Sequence, residues 1–380
     1  MKKRFLALLL TCVLGISAIG CGSKEEPAGT TKETLETAED PETITITDHN
    51  GNVVTVPKNI ERIAVGNILP MPSVLAVFFD SAEKIVGMPQ GSMTAAQNSL
   101  LSELYPEILN AKTDYINGAE INIEELVKLE PDVFIYNAAN ASTKDILDKA
   151  GIPGVAVSVN KWDYDAIETL NQWIALLSEM FPENDRAAQT EEYSRQAYDR
   201  VQEKVSGLSD EERAHIFFLF QYTDSSIATS GSHFFGQWWA DAIGAVNTGG
   251  EVDKDNSITV NMEQVYAWNP EHILITNFTT AQPDDLYDNT IGSYDWSAVT
   301  AVKEQNVDKM PLGMYRSYTC GVDTPVTLLW MAKTVYPDLF ADINITEETK
   351  AYYKEVFDIE LTDAQAEMIF APTSEASAFQ

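Results

Sequence analysis

Hydrophobic and polar positions follow the same pattern twice along this chain. In each copy an asparagine precedes a short helical stretch, a proline ends that stretch, and a run of apolar residues follows. The copies begin at Asn122 and Asn261, and their apolar runs cover residues 133–136 and 273–276. Such an internal repeat is typical of duplicated architecture. It predicts an α/β fold with two similar lobes, each containing a mostly parallel sheet.

The local chemistry of each copy predicts where its helix begins. Asparagine is a favoured helix N-cap, and a Glu or Gln three residues later can close a capping box. Glu125 occupies that position in the first copy and Gln264 in the second. Both copies are therefore expected to begin with a capped helix and to continue into a buried strand.

Two further patterns organise the rest of the chain. Alternating apolar and polar residues at 43–48 and 53–56 flank His49-Asn50-Gly51-Asn52, which predicts a β-hairpin. Helical periodicity over 185–206 predicts a helix roughly 33 Å long, enough to bridge two lobes. The predicted segments are an N-terminal lobe over 43–160, connecting helices including the interlobe helix over 161–212, a C-terminal lobe over 213–345, C-terminal helices over 346–370 and a tail over 371–380. The N-terminal lobe is predicted to contain strands at 62–66, 85–88, 133–136 and 154–159. The tail is predicted to fray from residue 375.

The N-terminal segment predicts export and attachment to a membrane. Three basic residues precede an apolar run over 5–16 that is too short to span a bilayer, as in a signal peptide covering residues 1–20. The segment Ala18-Ile19-Gly20-Cys21 resembles a bacterial lipobox, which makes Cys21 the predicted lipid attachment site. An ordinary secretory signal with an incidental cysteine is the alternative. Residues 21–42 contain few apolar residues and are predicted to form a flexible tether.

The net charge limits which partners the protein can bind, and the cysteine content limits how its fold can be stabilised. The formal net charge is −33, and it becomes −36 without the signal peptide, which carries three basic and no acidic residues. Nucleic acid is excluded as a partner on this ground. Cys320 is the only thiol beyond Cys21 in the mature chain, so an internal disulfide is not expected. A hydrophobic content of 44% is enough for two cores.

Together these features resemble the iron-complex class of solute-binding lipoproteins, which serve ATP-driven importers for ferric siderophores, haem and cobalamin. The resemblance implies two α/β lobes joined by a single long rigid helix, with the ligand cleft between them. It also implies a monomer held at the extracytoplasmic face of the membrane by its lipid and docking on a permease dimer with ATPase subunits. The residues that carry the resemblance are the lipobox, the hairpin with the following Arg62-Ile63-Ala64-Val65, the paired Asn-x-Glu units, and Leu329-Trp330-Met331-Ala332-Lys333 before Tyr336-Pro337.

One glutamate in each repeat is predicted to dock on the permease. Glu124 and Glu263 precede the capping-box positions, which leaves both carboxylates free to point outward. The resemblance implies that one glutamate per lobe engages permease arginines, and carboxylate–guanidinium pairs suit such a role. The alternative is that both are solvated first-turn acids that only favour the helix dipole.

The predicted cleft residues are mostly aromatic side chains and methionines on loops after the strands. Arg316 is predicted to contact an anionic ligand, with a salt bridge to a surface acid as the alternative. For the remaining residues, packing in the core or at the rim of the cleft is the alternative. They are Tyr315, Tyr222, Phe235, Met88 and Met93.

Histidine and cysteine give no clear metal site. A helix capped by Ser232 and running to Ile243 would place His233 in its first turn, near the mouth of the cleft. His233 could ligate a metal or haem iron there, and Cys320 is a weaker candidate. The four histidines are scattered, which disfavours a bare zinc or manganese site and predicts no intrinsic metal or cofactor.

These features predict capture of a metal chelate, with a ferric siderophore as the first expectation. Haem, cobalamin and a chelated small metal are the alternatives that remain open. Catalysis is not expected, because the sequence lacks a G-x-S-x-G elbow, a P-loop, an H-E-x-x-H helix and paired cysteines. A surface sensor or adhesion lipoprotein without a transport role is the alternative from another class.

Overall fold

The structure is a computed structural model that describes residues 42–377 of the 380-residue chain. The predicted signal peptide, the lipid attachment site Cys21 and the tether up to residue 41 lie outside the described residues. Residues 378–380 of the predicted tail lie outside them as well.

The described residues form 15 strands and 14 α-helices. The strands are β1 Thr43–Thr47, β2 Val53–Pro57, β3 Ile63–Val65, β4 Ile85–Gly87, β5 Ile116–Asn117, β6 Glu120–Ile121, β7 Val133–Asn137, β8 Gly154–Val157, β9 His215–Leu219, β10 Gln221–Tyr222, β11 Ile227–Ser230, β12 Val246–Asn247, β13 Ser257–Val260, β14 His272–Ile275 and β15 Val307–Lys309. The α-helices are α1 Met71–Phe79, α2 Gln90–Gln97, α3 Leu100–Leu104, α4 Ile123–Lys128, α5 Ser142–Ala150, α6 Ala166–Met180, α7 Ala187–Val205, α8 Phe235–Ala242, α9 Met262–Trp268, α10 Pro283–Tyr287, α11 Thr300–Lys303, α12 Thr324–Val335, α13 Ile345–Phe357 and α14 Asp363–Ile369. Within residues 42–377, no helix combines the length and apolar character that crossing a membrane requires.

Each lobe is built on a four-stranded parallel sheet. The first sheet has the order β4-β3-β7-β8 and the second the order β12-β9-β14-β15. The apolar runs of the repeat are β7 and β14, and each lies between two parallel neighbours. Residues 133–136 of β7 and 273–275 of β14 are at most 1% exposed. A strand that is covered on both faces has a continuous apolar sequence. The predicted buried strands are therefore confirmed.

Smaller sheets complete each lobe. The predicted hairpin is confirmed, because β1 and β2 pair antiparallel with Thr45 opposite Thr55. Ile46 and Val56 bury the inner face of this hairpin against the first lobe. In the second lobe β10, β11 and β13 form an antiparallel sheet beside the parallel one.

Two helices carry the chain from the first parallel sheet to the second. α6 and α7 lie between β8 and β9, pack against each other, and both contact α12 of the second lobe. The 19 residues of α7 span roughly 28 Å at 1.5 Å per residue. Side chains on β3 and α1, on α6 and α7, and on α12 belong to one continuous apolar core. Separating the lobes would expose this shared core, which favours small hinge motions over wide opening.

The helix caps of the two repeats differ in one respect. Asn122 and Asn261 both accept a hydrogen bond from the N–H group three residues later, at 3.3 and 2.9 Å. In the second copy Gln264 returns a bond to the Asn261 N–H at 3.1 Å, so the predicted capping box is confirmed there. The box predicted in the first copy is wrong, because the Asn122 N–H donates to the Tyr115 carbonyl instead. Glu125 is thereby left to pair with a lysine.

The turn of the hairpin is fastened to the end of β8. The Asp48 carboxylate accepts a hydrogen bond from the Ala156 N–H at 3.1 Å, and the His49 N–H donates to the Ala156 carbonyl at 3.0 Å. Nδ1 of His49 accepts a hydrogen bond from the Ser158 N–H at 3.0 Å. The imidazole packs edge-on against Trp162, with ring centroids 5.0 Å apart. Protonating Nδ1 would break the bond from Ser158, so this attachment needs a neutral imidazole.

Acid is therefore expected to weaken this attachment. Burial lowers the pKa of His49 from 6.5 to about 4. Because the unfolded chain takes up this proton near pH 6.5 and the folded chain only near pH 4, the stabilisation is complete above pH 6.5 and is lost as pH falls through this window. The loss is about 2 kcal/mol at pH 5. His49→Asn, whose side-chain oxygen can accept the bond from Ser158, should lose less stability between pH 7 and pH 5. Urea unfolding at both values measures this, and equal losses in the two proteins would contradict it.

Candidate functional site

The predicted ligand loops leave the carboxyl ends of the parallel strands. Ligands of α/β proteins bind at this edge, where loops from neighbouring strands converge. In the first lobe these loops follow β3, β4, β7 and β8, and in the second they follow β9, β14 and β15. The second-lobe loops and the adjoining start of α8 carry most of the distinctive side chains.

An aromatic cluster forms the second-lobe wall. Phe220 lies at its centre, with ring-centroid distances of 5.5 Å to Phe234, 5.2 Å to Phe278 and 5.4 Å to Tyr318. Phe235 extends the cluster, 6.0 Å from Tyr318. Offset and edge-on aromatic pairs at these distances are favourable. The cluster therefore gives this wall a rigid apolar surface.

A first-lobe tyrosine reaches the aromatic cluster. The Tyr164 ring, between β8 and α6, lies 5.4 Å from Phe234 and 4.9 Å from Phe235. Its hydroxyl donates to the Asp255 carbonyl at 3.3 Å. Tyr164 and the preceding Asp163 have φ angles of 60° and 51°, which side chains other than glycine rarely adopt. The backbone of this loop is therefore held in an uncommon conformation where the two lobes meet.

Arg316 brings a buried positive charge to the loop after β15. Its side chain is 1% exposed, and its guanidinium carbon lies 5.1 Å from the centroid of the Phe278 ring and 5.7 Å from that of Tyr315. Burial lowers the pKa of Arg316, but a guanidinium with an ordinary pKa above 12 stays charged at neutral pH. Nη2 donates to the Ala376 carbonyl at 3.4 Å. A cation flanked by aromatic faces in a water-poor site is suited to binding an anion.

A buried aspartate shapes the loop that carries Arg316. The Asp323 carboxylate, 3% exposed, accepts a hydrogen bond from the Met314 N–H at 2.7 Å and another from the Tyr353 hydroxyl. Burial raises the pKa of Asp323 to about 6. A Cβ atom on Gly313 would lie 2.1 Å from the carboxyl carbon of Asp323, so only glycine allows this approach. Asp323 is therefore a positioning residue for the Arg316 loop.

A buried lysine holds the neighbouring loop. Nζ of Lys309 donates to the carbonyl oxygens of Thr276, Thr279 and Ala281, at 3.0, 2.7 and 2.8 Å. These carbonyls belong to the loop after β14, which carries Phe278. Three acceptors match the three protons of an ammonium group. Lys309 thereby fixes the ring that packs on the Arg316 guanidinium.

The C-terminal segment, residues 371–377, belongs to the predicted tail, which was expected to fray from residue 375; that expectation is wrong for residues 375–377. Residues 375–377 form a short 3-10 turn that contacts α2 of the first lobe. Ala376 is fully buried and Ser377 is 1% exposed. The burial of Ala376 and its carbonyl bond to Arg316 hold this segment in place. The segment therefore covers Arg316 from the first-lobe side.

The other predicted ligand residues separate into two groups. Tyr315 and Phe235 are 3% and 4% exposed and adjoin Arg316 and the aromatic cluster, respectively. Met88 is fully buried in the main core, and Met93 on α2 is 7% exposed. Tyr222 belongs to the outer core of the second lobe, where its hydroxyl donates to Ile291 and accepts from the Trp296 indole at 3.0 and 2.9 Å. The Tyr222 carbonyl also accepts a hydrogen bond from the Thr279 hydroxyl at 3.0 Å, in the loop that carries Phe278.

His233 does not lie in the first turn of a helix as predicted. α8 begins at Phe235 with Phe234 as its N-cap, because the Ser232 and His233 N–H groups donate to carbonyls of residues 252 and 254. The imidazole is 60% exposed and lies 3.1 Å from an Asp253 carboxylate oxygen. It lines a cavity of about 410 Å³ together with Tyr164, Phe234 and Trp238.

Neither His233 nor Cys320 is part of a metal-ligand cluster in the described structure. Cys320 is fully buried in the main core, and burial raises the pKa of its thiol. Within residues 42–377, no group of three His, Cys, Asp or Glu side chains is arranged to hold a metal ion.

Three residues of this site carried no functional prediction from the sequence. Asp323 stands at the N-cap position of α12, where an aspartate is expected as an ordinary cap, but it makes no cap bond. Lys309 follows an acid at the end of a short strand and resembles a surface residue. The unusual backbone of Tyr164 has no sequence signal, since glycine is absent there.

Comparison with known proteins finds similarity to periplasmic binding proteins. A family model described as periplasmic binding protein matches residues 83–311, more than half of the chain. The molybdate-binding protein MolA of Haemophilus influenzae is 25% identical over 336 residues, which cover 82% of this chain and 90% of that protein. Its molybdate-bound structure matches with a TM-score of 0.70 over 84% of this chain and 99% of that one, at 22% identity.

Two further solved structures have the same fold. A periplasmic solute-binding protein from Veillonella parvula is 27% identical, with a TM-score of 0.76 over 87% of this chain and 97% of that one. CeuE of Helicobacter pylori, solved with Ni(II) bound, is 22% identical, with a TM-score of 0.67 over 85% and 98% of the two chains. At that identity the likeness to CeuE establishes the fold alone.

Proposed function

The chain belongs to the periplasmic binding protein family, and on that premise we propose that it captures an anionic metal compound in the cleft between its lobes. It would then deliver this ligand to the membrane subunits of an ATP-driven importer. Family membership makes the protein an extracytoplasmic solute-binding component of such an importer, which is a transport role and not an enzymatic one. The charge of the ligand is the more specific part of the proposal.

The buried guanidinium of Arg316 is the observation that carries this proposal. Arg316 is 1% exposed, so water competes poorly for its guanidinium and an anion that reaches it is weakly screened. Phe278 and Tyr315 flank the guanidinium, and Lys309 and Asp323 fix the two loops that bring these residues together. An anion in the cleft would gain a charge-assisted hydrogen bond in a setting with little competing water.

A ferric siderophore is the first candidate ligand, as the sequence predicted. The aromatic cluster of the second lobe supports it, because an iron chelate carries organic rings or chains that need an apolar surface. Haem, which carries two propionates, would use the same wall. Phe220 and Tyr318 would contact the organic part of such a ligand, and Arg316 would contact its negative charge.

A molybdate-type oxyanion is the second candidate. The relationship to the molybdate-binding protein of Haemophilus influenzae favours it, since that match covers most of both chains. A small oxyanion also suits a guanidinium that lies deep in the protein. Such a ligand would need Arg316 and neighbouring hydrogen-bond donors and would make little use of the aromatic cluster.

Tryptophan fluorescence distinguishes these candidates. The Trp239 indole donates to the Tyr318 carbonyl at 2.8 Å, and Trp238 lines the interlobe cavity, so both rings adjoin the cleft. The protein is titrated with ferric catecholate and hydroxamate siderophores, haemin, cobalamin, molybdate and tungstate. Saturable submicromolar quenching by an anionic member supports the proposal. Binding of neutral or cationic compounds alone, or of none, by folded protein would refute it.

Removing the C-terminal segment is expected to raise the affinity for the anion. The Ala376 carbonyl accepts a hydrogen bond from Arg316, so it holds the position that an anionic oxygen would take. Such a bond to a charged group is worth roughly 1.5–3 kcal/mol. A chain ending at Ala371 should therefore bind the anion about 10-fold more tightly. Titration calorimetry of the two proteins measures the difference.

Ser374→Ala serves as the control for this truncation, because Ser374 is in the same segment but its hydroxyl donates to its neighbour Glu375 and not to the Arg316 site. It should bind like the full chain. A truncated protein that binds the anion more weakly would show that the segment is a wall of the site and not a cover.

Attachment and docking complete the proposal. We propose that a lipid on Cys21 holds the protein at the outer face of the membrane, as the N-terminal sequence predicts. Glu124 and Glu263 would dock on the permease. Both are exposed, and neither carboxylate makes a hydrogen bond or an ion pair within residues 42–377. Nearby Glu125 is instead paired with Lys128 at 2.6 Å.

A further inference from the structure

The two repeat helices expose a large apolar side chain at the same position. Val127 on α4 is 49% exposed and Tyr266 on α9 is 39% exposed. Each lies three residues after the glutamate of its copy, Glu124 or Glu263. Seven large apolar side chains are exposed within residues 42–377, and two of them occupy this one repeat position. The coincidence distinguishes this pair from exposed apolar residues scattered singly over a surface.

Helix geometry places each glutamate and its apolar neighbour on one face. Residues three apart are neighbours on a helix surface. Leu126 and Val265, two residues after each glutamate, are fully buried and turn the opposite face of each helix inward. The helices also lead into equivalent strands, β7 and β14, each central in its sheet. The two lobes thus present the same pair, a carboxylate beside an apolar side chain.

The tyrosine of the second pair is held in place by a hydrogen bond. The Tyr266 hydroxyl donates to the Asp295 carbonyl at 2.5 Å, which fixes a ring that is 39% exposed. An aromatic residue fixed at the surface loses little conformational freedom on binding. Aromatic and other apolar side chains bordered by charges are the usual anchors of protein interfaces.

We propose that Val127 and Tyr266 are apolar anchors that enter the importer's membrane subunits beside the basic groups engaged by Glu124 and Glu263. This inference rests on the proposed transport function. The carboxylates require a basic partner surface, and a pair repeated in both lobes suits a partner with two equivalent halves. A second copy of this chain does not meet the charge requirement, because it would place glutamate against glutamate.

The test measures docking on the importer's membrane complex in lipid nanodiscs. Val127→Ser and Tyr266→Ser should each weaken binding about 10-fold, and their affinity for the compound identified by fluorescence should be unchanged. Val53→Ser removes another exposed apolar side chain, 73% exposed on β2, and should bind the nanodiscs like the parent protein. Tyr266→Phe keeps the ring without the bond to Asp295 and should retain most of the affinity.

The glutamate variants separate the possible failures. If Glu124→Ala with Glu263→Ala abolishes docking while the two serine variants bind normally, docking is purely electrostatic. That result would refute the role of Val127 and Tyr266 as anchors but leave the transport function supported. If the parent protein itself does not bind the nanodiscs, the transport function fails and the anchors with it. Thermal unfolding of each variant confirms that the substituted proteins are folded.

Discussion

Replacing Arg316 with glutamine is expected to weaken anion binding roughly 100-fold. Truncating one partner of a buried charge pair typically costs about 2–5 kcal/mol, because the other charge is left without its partner in a site with little water. Arg316 is 1% exposed and is flanked by Phe278 and Tyr315, so solvent screens it poorly. Titration calorimetry of the two proteins with the compound identified by fluorescence measures the loss.

Two companion variants show whether this loss is specific. Arg316→Lys keeps the charge but not the planar fork and should bind with intermediate affinity. Arg213→Gln removes another guanidinium, which donates to carbonyls of residues 244 and 245, and should leave anion binding unchanged. A folded Arg316→Gln protein that binds as tightly as the parent would show that this guanidinium does not recognise the ligand.

Removing both docking glutamates is expected to abolish uptake while ligand binding survives. A charge-assisted carboxylate–guanidinium pair contributes roughly 1.5–3 kcal/mol, so losing two would weaken docking on the order of 1000-fold. Uptake of the iron-55 or molybdenum-99 form of the ligand by cells carrying Glu124→Ala with Glu263→Ala should fall to background. The purified double variant should bind the ligand with unchanged affinity.

The matched control removes the same charge from other exposed sites. Glu83 and Glu203 are exposed acids in the first lobe and on α7, and replacing both with alanine should leave uptake intact. Normal uptake by the double variant of Glu124 and Glu263 would contradict the docking role. It would favour the surface sensor or adhesion lipoprotein that the sequence also allows.

Local signals in the sequence were sufficient to predict the layout of the fold. The apolar runs that became β7 and β14, the alternation that became the hairpin, and the two asparagine caps all depend on neighbouring residues. The capping box of the first copy was wrong for a tertiary reason. The Asn122 N–H donates to the Tyr115 carbonyl, a contact that no local pattern predicts.

The candidate site was harder to predict because distant residues build it. Arg316 was predicted from its charge on a sparsely charged loop, and the structure adds its burial. Asp323 and Lys309 hold the site loops through backbone groups 9 to 33 residues away. The cover formed by Ala376 depends on a contact across 60 residues. Periodicity and capping rules carry no information about such contacts.

The most direct test of the central claim is the position of the ligand's metal in crystals of the complex, located by anomalous scattering. Binding at the proposed site places the metal between the two lobes and within about 6 Å of the Arg316 guanidinium, with the C-terminal segment displaced. An anomalous peak in the cavity beside His233 and Trp238, or outside the interlobe cleft, would contradict the assignment of Arg316 as the anion-binding residue.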